Sequence, residues 1–464
     1  MRLLFISKGR SDLGKWVNIS RKILSIYGNK TDICIITGEI PDEKYEVDVK
    51  IIPCVYNGEL NRRASQVLLE YSAYVSPSAY RSDIRFIFSS QKEEYLASEQ
   101  VFLTKNALEL ILEFKPDFLF TAGAGTMVRT IFFAVAKSLG VKSYRILRGK
   151  HMNTGRKGKR YFFCDNDEGK ISENHNRLFT HSPQVLEKYI VSFINEVKRK
   201  NHQFDKYARS TGRYWRVSKP GLGVITDIVR YTGHRLFKND ELSKKMLKYR
   251  FVCTLRSFYQ KKYYTKPESL GNDFFLFPLN VPIDAQLRLR AKHYADSEGL
   301  IRLIGSNMPY GIDLAVKIHP GNPGMLDSRI IERILKTIPN VKFISPEVSM
   351  FELIKRSVGI FVINGNSALE AAVLGKPCVY LGDSYLSELP NCSCLKSFGE
   401  LETMVSKLMR KNDWVNERKI TKVLTKYYNC TYPIFTINGN GSDDDNHQHD
   451  VIASAIVRLI GNSK

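Results

Sequence analysis

The stretch Asn364-Gly365-Asn366-Ser367 stands between an apolar run, Ile360–Ile363, and a helical pattern that opens at Ser367 and carries one acid, Glu370. Residue types of this kind at a strand-to-helix junction suit a phosphate. The first turn of a helix has free N–H groups and about half a unit of positive charge. Gly365 lets the backbone approach a ligand, and Asn366 or Ser367 can cap the helix. Glu370 lies one turn on, on the face of Ser367, where a carboxylate can take the two hydroxyls of a ribose. An ordinary N-cap accounts for the same residues without a ligand. A second cluster is "KIHPGNPG". Lys317 lies in an apolar run, His319 follows it and Pro320 stops the strand. A histidine there can donate to a phosphate or sugar oxygen. Phosphate and ribose together describe a nucleotide sugar, expected between His319 and the Asn364–Glu370 turn, which are read as following adjacent strands.

The N-terminal half offers acceptor chemistry. "ISKGRSD" puts Ser7, Gly9 and Arg10 after the first strand, and "TAGAGT" puts Gly123 and Gly125 after another. The second is a Gly-rich turn without the GxGxxG spacing of a dinucleotide site. "YRILRGKHMNTGRKGKR" gathers Arg145, Arg148, Lys150 and His151. These cations suit an anionic acceptor or a leaving phosphate, or form a solvated basic loop. His151 and Asp165 are the candidate bases. The acidic run Asp443–Asp450 offers hard oxygen ligands but reads as a solvated loop. No metal and no cofactor are expected.

Repeated strand-helix units must position these residues. Strands are expected at Leu3–Ser7, Ile33–Thr37, Val49–Val55, Phe118–Thr121 and Ser143–Leu147. A second series runs through Phe274–Pro278, Leu314–Ile318, Val341–Ile344, Ile360–Ile363 and Cys378–Leu381. Apolar strands alternating with helices predict an α/β protein of two Rossmann-like, doubly wound domains facing across a cleft. Ligands then sit beyond the carboxyl ends of the strands. The expected division is 1–268, including a basic helical segment at 198–266, then 269–397, then C-terminal helices at 398–464 returning to the first domain.

Composition agrees with two domains: 464 residues, 43% apolar and 25% charged. No apolar run reaches membrane-spanning length, and "MRLLFIS" reads as a buried strand. Eight scattered cysteines read as reduced thiols. The net charge of +23 favours anionic partners. It is concentrated over 198–266 among aromatics, with no nucleic-acid-binding motif beside it. Nucleic acid is therefore not expected. An anionic membrane surface or a plain solvated face fits, and the expected location is the cytoplasm, peripheral to the inner face of the cell membrane.

Three blocks carry a family resemblance: "FPLNVPIDAQ", "IRLIGSNMPYGIDLAVKIHPGNPG" and "VKFISPEVSMFELIKRSVGIFVINGNSALEAAVLGKPCVYLGDSYL". Over about Phe274–Leu389 the chain resembles the capsule polysaccharide biosynthesis family, which includes bacterial Kdo transferases. The resemblance implies a B-type glycosyltransferase whose C-terminal domain holds the nucleotide sugar. His319 and Pro320 match the His-Pro signature, similar to that of CMP-sugar transferases, and Ser367 and Glu370 match the family's helix start. The implied activity is sugar transfer to a surface polysaccharide or lipid-linked acceptor. The alternatives are an NDP-sugar 2-epimerase, a polyol-phosphate transferase and a non-catalytic polysaccharide-binding protein.

Overall fold

Runs such as Leu3-Leu4-Phe5-Ile6 and Phe274-Phe275-Leu276-Phe277 are fully buried, as strands covered on both faces must be. In the computed structural model they build two separate sheets. The structure describes residues 1–41, 49–82, 93–123, 126–149, 158–165, isolated residues between 184 and 195, 241–271, 273–281, 287–288, 291–320, 323–382, 384–410, 417–435 and 443–462.

The first sheet contains β1 (Arg2–Ser7), β2 (Asp32–Thr37), β3 (Lys50–Pro53), β4 (Phe118–Ala122), β5 (Lys142–Gly149), β6 (Gly158–Cys164) and β14 (Tyr432–Phe435). Its order is β14-β6-β5-β4-β1-β2-β3. β1 to β5 are parallel, while β6 and β14 are antiparallel additions. Alternation divides the core. Leu3 and Phe5 face the helices Arg10–Tyr27 and Asp443–Asn462, whereas Leu4 and Ile6 face the helices Glu93–Phe114 and Met127–Ser138. Phe5 stacks between Trp16 and Phe120, with ring centroids at 4.8 and 5.7 Å.

The second sheet contains β7 (Tyr264–Thr265), β8 (Phe274–Pro278), β9 (Asp313–Lys317), β10 (Val341–Ile344), β11 (Gly359–Val362), β12 (Cys378–Tyr380) and β13 (Cys392–Cys394). Its order is β13-β12-β11-β8-β9-β10-β7, parallel throughout. The expected fold class of two mostly parallel α/β sheets holds.

The chain forms two compact units, 1–186 with 425–464, and 187–424. Two expected boundaries shift. The helix Glu241–Gln260 belongs to the second unit: Arg256 pairs with Asp327 at 2.6 Å, and Gln260 Nε2 donates to the Leu326 carbonyl at 2.6 Å. Residues 398–424 also stay there, because Leu401, Val405 and Leu408 lie in the core of the second sheet. Only 425–464 joins the first unit. Asp443–Asp450, expected as a loop, forms the start of a helix. That helix buries Ala453, Ile456, Leu459 and Ile460 against the first sheet. Most of the basic segment expected at 198–266, up to 240, lies outside the described residues.

Asp327 caps the helix Ser328–Thr337 by accepting from the Arg329 N–H at 2.9 Å. Burial opposes its charge, but that N–H and the Arg329 and Arg256 guanidinium groups outweigh it and hold the carboxyl below its usual value. A depressed folded-state pKa stabilises above the unfolded value of about 3.9 and loses that contribution as pH falls through the folded value. Asp327→Asn keeps the cap and removes the charge. It is expected to cost about 0.5–1 kcal/mol at neutral pH. Thermal melts of variant and parent should converge as the pH drops below about 4.

Candidate functional site

Each sheet reverses its strand order at one place. In the second, the chain runs β8, β9, β10 in one direction and then crosses to β11, β12, β13 on the other side of β8. The crevice opened by such a reversal lies beyond the carboxyl ends of the two strands that flank it, here β8 and β11. Pro278-Leu279-Asn280 leaves β8, and Ile363-Asn364-Gly365-Asn366-Ser367 leaves β11. The sequence had pointed to the second segment only. Leu279–Asn280 joins it because β8 is central, which periodicity does not reveal.

His319 follows β9. The strands leading to His319 and to Asn364 are not neighbours, as had been expected, since β8 stands between them. Two strand spacings separate them, roughly 10 Å, so a ligand touching both must cross the end of β8. His319 and Pro320 are partly exposed. Lys317 is buried and its Nζ donates to the Pro346 carbonyl at 3.2 Å, tying the ends of β9 and β10 together.

The helix after β11 is Ser367–Val373, only seven residues long. Asn366 precedes it with helical backbone angles, φ −71° and ψ −14°, and makes no side-chain cap. A capping side chain needs an extended backbone at that position, so the expected cap is absent. Ser367 and Glu370 are the partly exposed residues of a helix otherwise buried. Its end is fixed by Gly375 at φ +70°, where the Gly375 and Lys376 N–H groups return to the carbonyls of Ala372 and Ala371.

Two residues that sequence reasoning passed over hold this turn. Buried Asn391 donates from Nδ2 to the carbonyls of Lys376, at 2.8 Å, and Ala368, at 3.4 Å. Gly382, just past β12, packs so closely that a Cβ there would lie 2.2 Å from Asn364 Oδ1 and 2.6 Å from the Ile363 carbonyl. A lone buried Asn and a strand-end Gly carry no periodic signal that would have marked them.

The first sheet reverses between β1 and β4. Ser7 ends β1, Gly9 and Arg10 follow it, and Gly123 follows β4, so these candidate residues gather at one crevice. Gly125 lies outside the described residues. Gly9 has φ +153°, and a Cβ there would lie 2.4 Å from the carboxylate carbon of Glu39. Glu39 was not foreseen. It follows β2 and lays its carboxylate on this glycine. Ser7 Oγ and the Lys8 N–H both donate to Asp12 Oδ1, at 2.7 and 3.0 Å, and Arg129 pairs with the other oxygen. Burial, with the nearby Arg145 cation, lowers the Arg129 guanidinium to about 10, which leaves it charged at neutral pH. Arg145 is buried and stacks on Phe133 at 4.0 Å. The guanidinium groups of Arg129 and Arg145 thus lie beneath the edge with the Asp12 carboxylate, and the Glu39 carboxylate lies against Gly9.

Arg148 lies in the part of β5 that pairs with β6 past the level of Ala122. Lys150 and His151 lie outside the described residues. Asp165 is displaced from the site. β6 runs antiparallel to β5, with Cys164 opposite Arg145, so its end carries Asp165 back from the carboxyl edge. Among the described residues no three His, Cys, Asp or Glu side chains gather as a metal site. All eight cysteines are free thiols, six of them buried.

Residues 223–388 match the family of capsule polysaccharide biosynthesis proteins. The matched segment contains β8 to β12 and both segments at the second crevice, and it bears out the resemblance read from the sequence. No curated protein matches the chain. Among solved structures, the chain is similar to a Thermosulfurimonas dismutans β-Kdo 2,7 transferase, KpsC, at 11% identity and TM-score 0.36, covering 97% of this chain and 98% of that one. It is also similar to the UDP-GlcNAc 2-epimerase of Methanocaldococcus jannaschii, at 14% identity and TM-score 0.27, covering 92% and 99%. The Neisseria meningitidis UDP-GlcNAc 2-epimerase bound to UDP-GlcNAc gives 12% and 0.28, covering 92% and 98%. Likeness at this level carries no functional weight, and the fold class rests on the strand orders.

Removing the amide of Asn391 leaves two buried carbonyls without their donor. Asn391→Ala is expected to cost about 1–3 kcal/mol. Gly382→Ala, which forces Asn364 aside, should cost about 1–3 kcal/mol as well. Urea denaturation of each variant checks both values.

Proposed function

We propose that this protein is a glycosyltransferase of capsule polysaccharide synthesis. The unit 187–424 binds a nucleotide sugar, and the unit 1–186 with 425–464 binds the acceptor. The observation that carries this reading is the strand-order reversal between β8 and β11. It brings the strand ends at Leu279–Asn280 and Asn364–Ser367 to one crevice, inside the segment that matches the capsule family. The nucleotide would lie across the end of β8, with the phosphate toward His319 and the ribose hydroxyls on Glu370. As the sugar leaves, charge grows on the departing phosphate, and a fixed donor such as His319 stabilises it more in the transition state than before. The His-Pro resemblance favours a CMP-linked donor.

The acceptor would occupy the β1/β4 crevice. The net charge of +23 favours an anionic acceptor such as an acidic polysaccharide end or a lipid phosphate. Glu39, whose carboxylate lies against Gly9 at this crevice, would take the acceptor hydroxyl's proton in place of Asp165. The reaction proceeds without a metal or a cofactor, in the cytoplasm, at the membrane surface when the acceptor is lipid-linked. Among the described residues no helix is long and apolar enough to cross a membrane.

A thermal-shift series with CMP, UDP, GDP and CDP identifies the nucleotide, since a ligand bound only to the native state raises Tm. His319→Ala should lower kcat about a hundredfold or more with an unchanged melting curve. A fully active His319→Ala enzyme would sink the assignment. Glu370→Gln should weaken the nucleotide about tenfold, the loss of one charged hydrogen bond. Glu39→Gln should lower kcat at least a hundredfold while the nucleotide Kd stays constant. Conversion of a nucleotide sugar into its 2-epimer with no acceptor present would point to a 2-epimerase instead.

A further inference from the structure

The helix Glu241–Gln260 turns the usual rule of burial inside out. Its inward stripe is largely polar. Cys253 lies against Gly324, Arg256 against Asp327, and Gln260 against Leu326 and Ser328. Over its described side chains from Phe251 on, the outward stripe is apolar. Phe251, Leu255, Phe258 and Tyr259 are 46%, 55%, 38% and 53% exposed. Their spacing of four, three and one residues puts them on one face. Lys248, Lys261 and Lys262 are exposed beside them. Lys262 Nζ lies 3.8 Å from the centre of the Tyr259 ring, and Lys261 Nζ 5.5 Å from that of Phe258.

We infer that this face docks on an anionic lipid bilayer, with Phe251, Leu255, Phe258 and Tyr259 entering the interface and the lysines contacting the headgroups. Contiguous exposed apolar residues mark an interaction surface. The flanking cations and the +23 charge of the chain select a negatively charged occupant. Aromatic side chains and lysines on a helix lying in the interface plane are the form that membrane-surface helices take. A protein partner of equal charge complementarity would leave the aliphatic Leu255 and two phenylalanines to a matching pocket, whereas lipid accepts them without one. The proposal rests on the transferase reading only for the reason the enzyme visits a membrane; the docking itself does not depend on it.

The helix is also fastened to the loop after His319. Gly324 has φ +78°, and a Cβ there would lie 1.9 Å from the Cys253 carbonyl. The docking helix is therefore packed against the segment 324–328 that leads into the helix Ser328–Thr337.

The test is co-sedimentation of the full chain with phosphatidylglycerol vesicles and with phosphatidylcholine vesicles, at low and high salt. The parent should bind the anionic vesicles, lose binding steeply with salt and ignore the neutral ones. The quadruple variant Phe251→Gln, Leu255→Gln, Phe258→Gln, Tyr259→Gln should bind at least tenfold more weakly. Lys248→Glu, Lys261→Glu and Lys262→Glu should each weaken binding about fivefold. All these side chains are exposed, so unchanged melting curves confirm folded variants. Transfer to a soluble acceptor should stay at the parental rate, which separates failure of the docking face from failure of the enzyme assignment. Parental binding by the quadruple variant, or no binding by the parent at low salt, would overturn the proposal. So would a dimer in sedimentation velocity that the same substitutions abolish.

Discussion

A parallel sheet entered at its centre must be extended in both directions, and right-handed crossovers then leave the two central strands with connections on opposite faces. Both sheets of this protein are built that way, around β1 and around β8. The gap at each reversal is a consequence of the winding, and the residues leaving the flanking strands fall into it whatever their identity. Ser7-Lys8-Gly9 and Gly123 meet at one gap, and Leu279-Asn280 and Asn364-Gly365 at the other. Chemistry is added to that geometry by a few contacts: Asp12 with Ser7 and Arg129, and Asn391 and Gly382 around Asn364.

The long apolar runs were legible in the sequence because burial on both faces leaves no room for polar residues. Phe274–Pro278 and Val341–Ile344 fall where expected, and β1, β2, β4, β9 and β11 differ by a residue or two. The strands that escaped are short, at an edge, or polar at their start. β7 is two residues, and β13 is Cys-Ser-Cys. β14 contains Pro433, which an edge strand tolerates. β6 begins Gly-Lys-Arg and read as part of a basic loop. Its antiparallel direction is what removes Asp165 from consideration.

The candidate site was legible by residue type but not by arrangement. A strand-to-helix turn rich in small polar residues marks Asn364–Ser367, and a Gly-rich turn marks Gly123. Spatial order within a sheet is a tertiary property, so His319 appeared to neighbour Asn364 until β8 was found between them. Asn391 and Glu39 depend on distant packing partners and leave no local mark. The helix Glu241–Gln260 was read as basic and aromatic, yet which stripe faces outward is decided only by its contacts with Gly324, Leu326 and Asp327.

Amide hydrogen exchange with and without the nucleotide that raises Tm most would locate the donor site directly. Slowed exchange should appear in peptides covering Leu279–Val281 and Ile363–Glu370, on the two sides of the β8/β11 reversal. The turn Met308–Ile312, at the opposite edge of the same sheet, should be unchanged. Protection confined to the first unit, or to the Met308–Ile312 edge, would contradict a nucleotide site at that reversal.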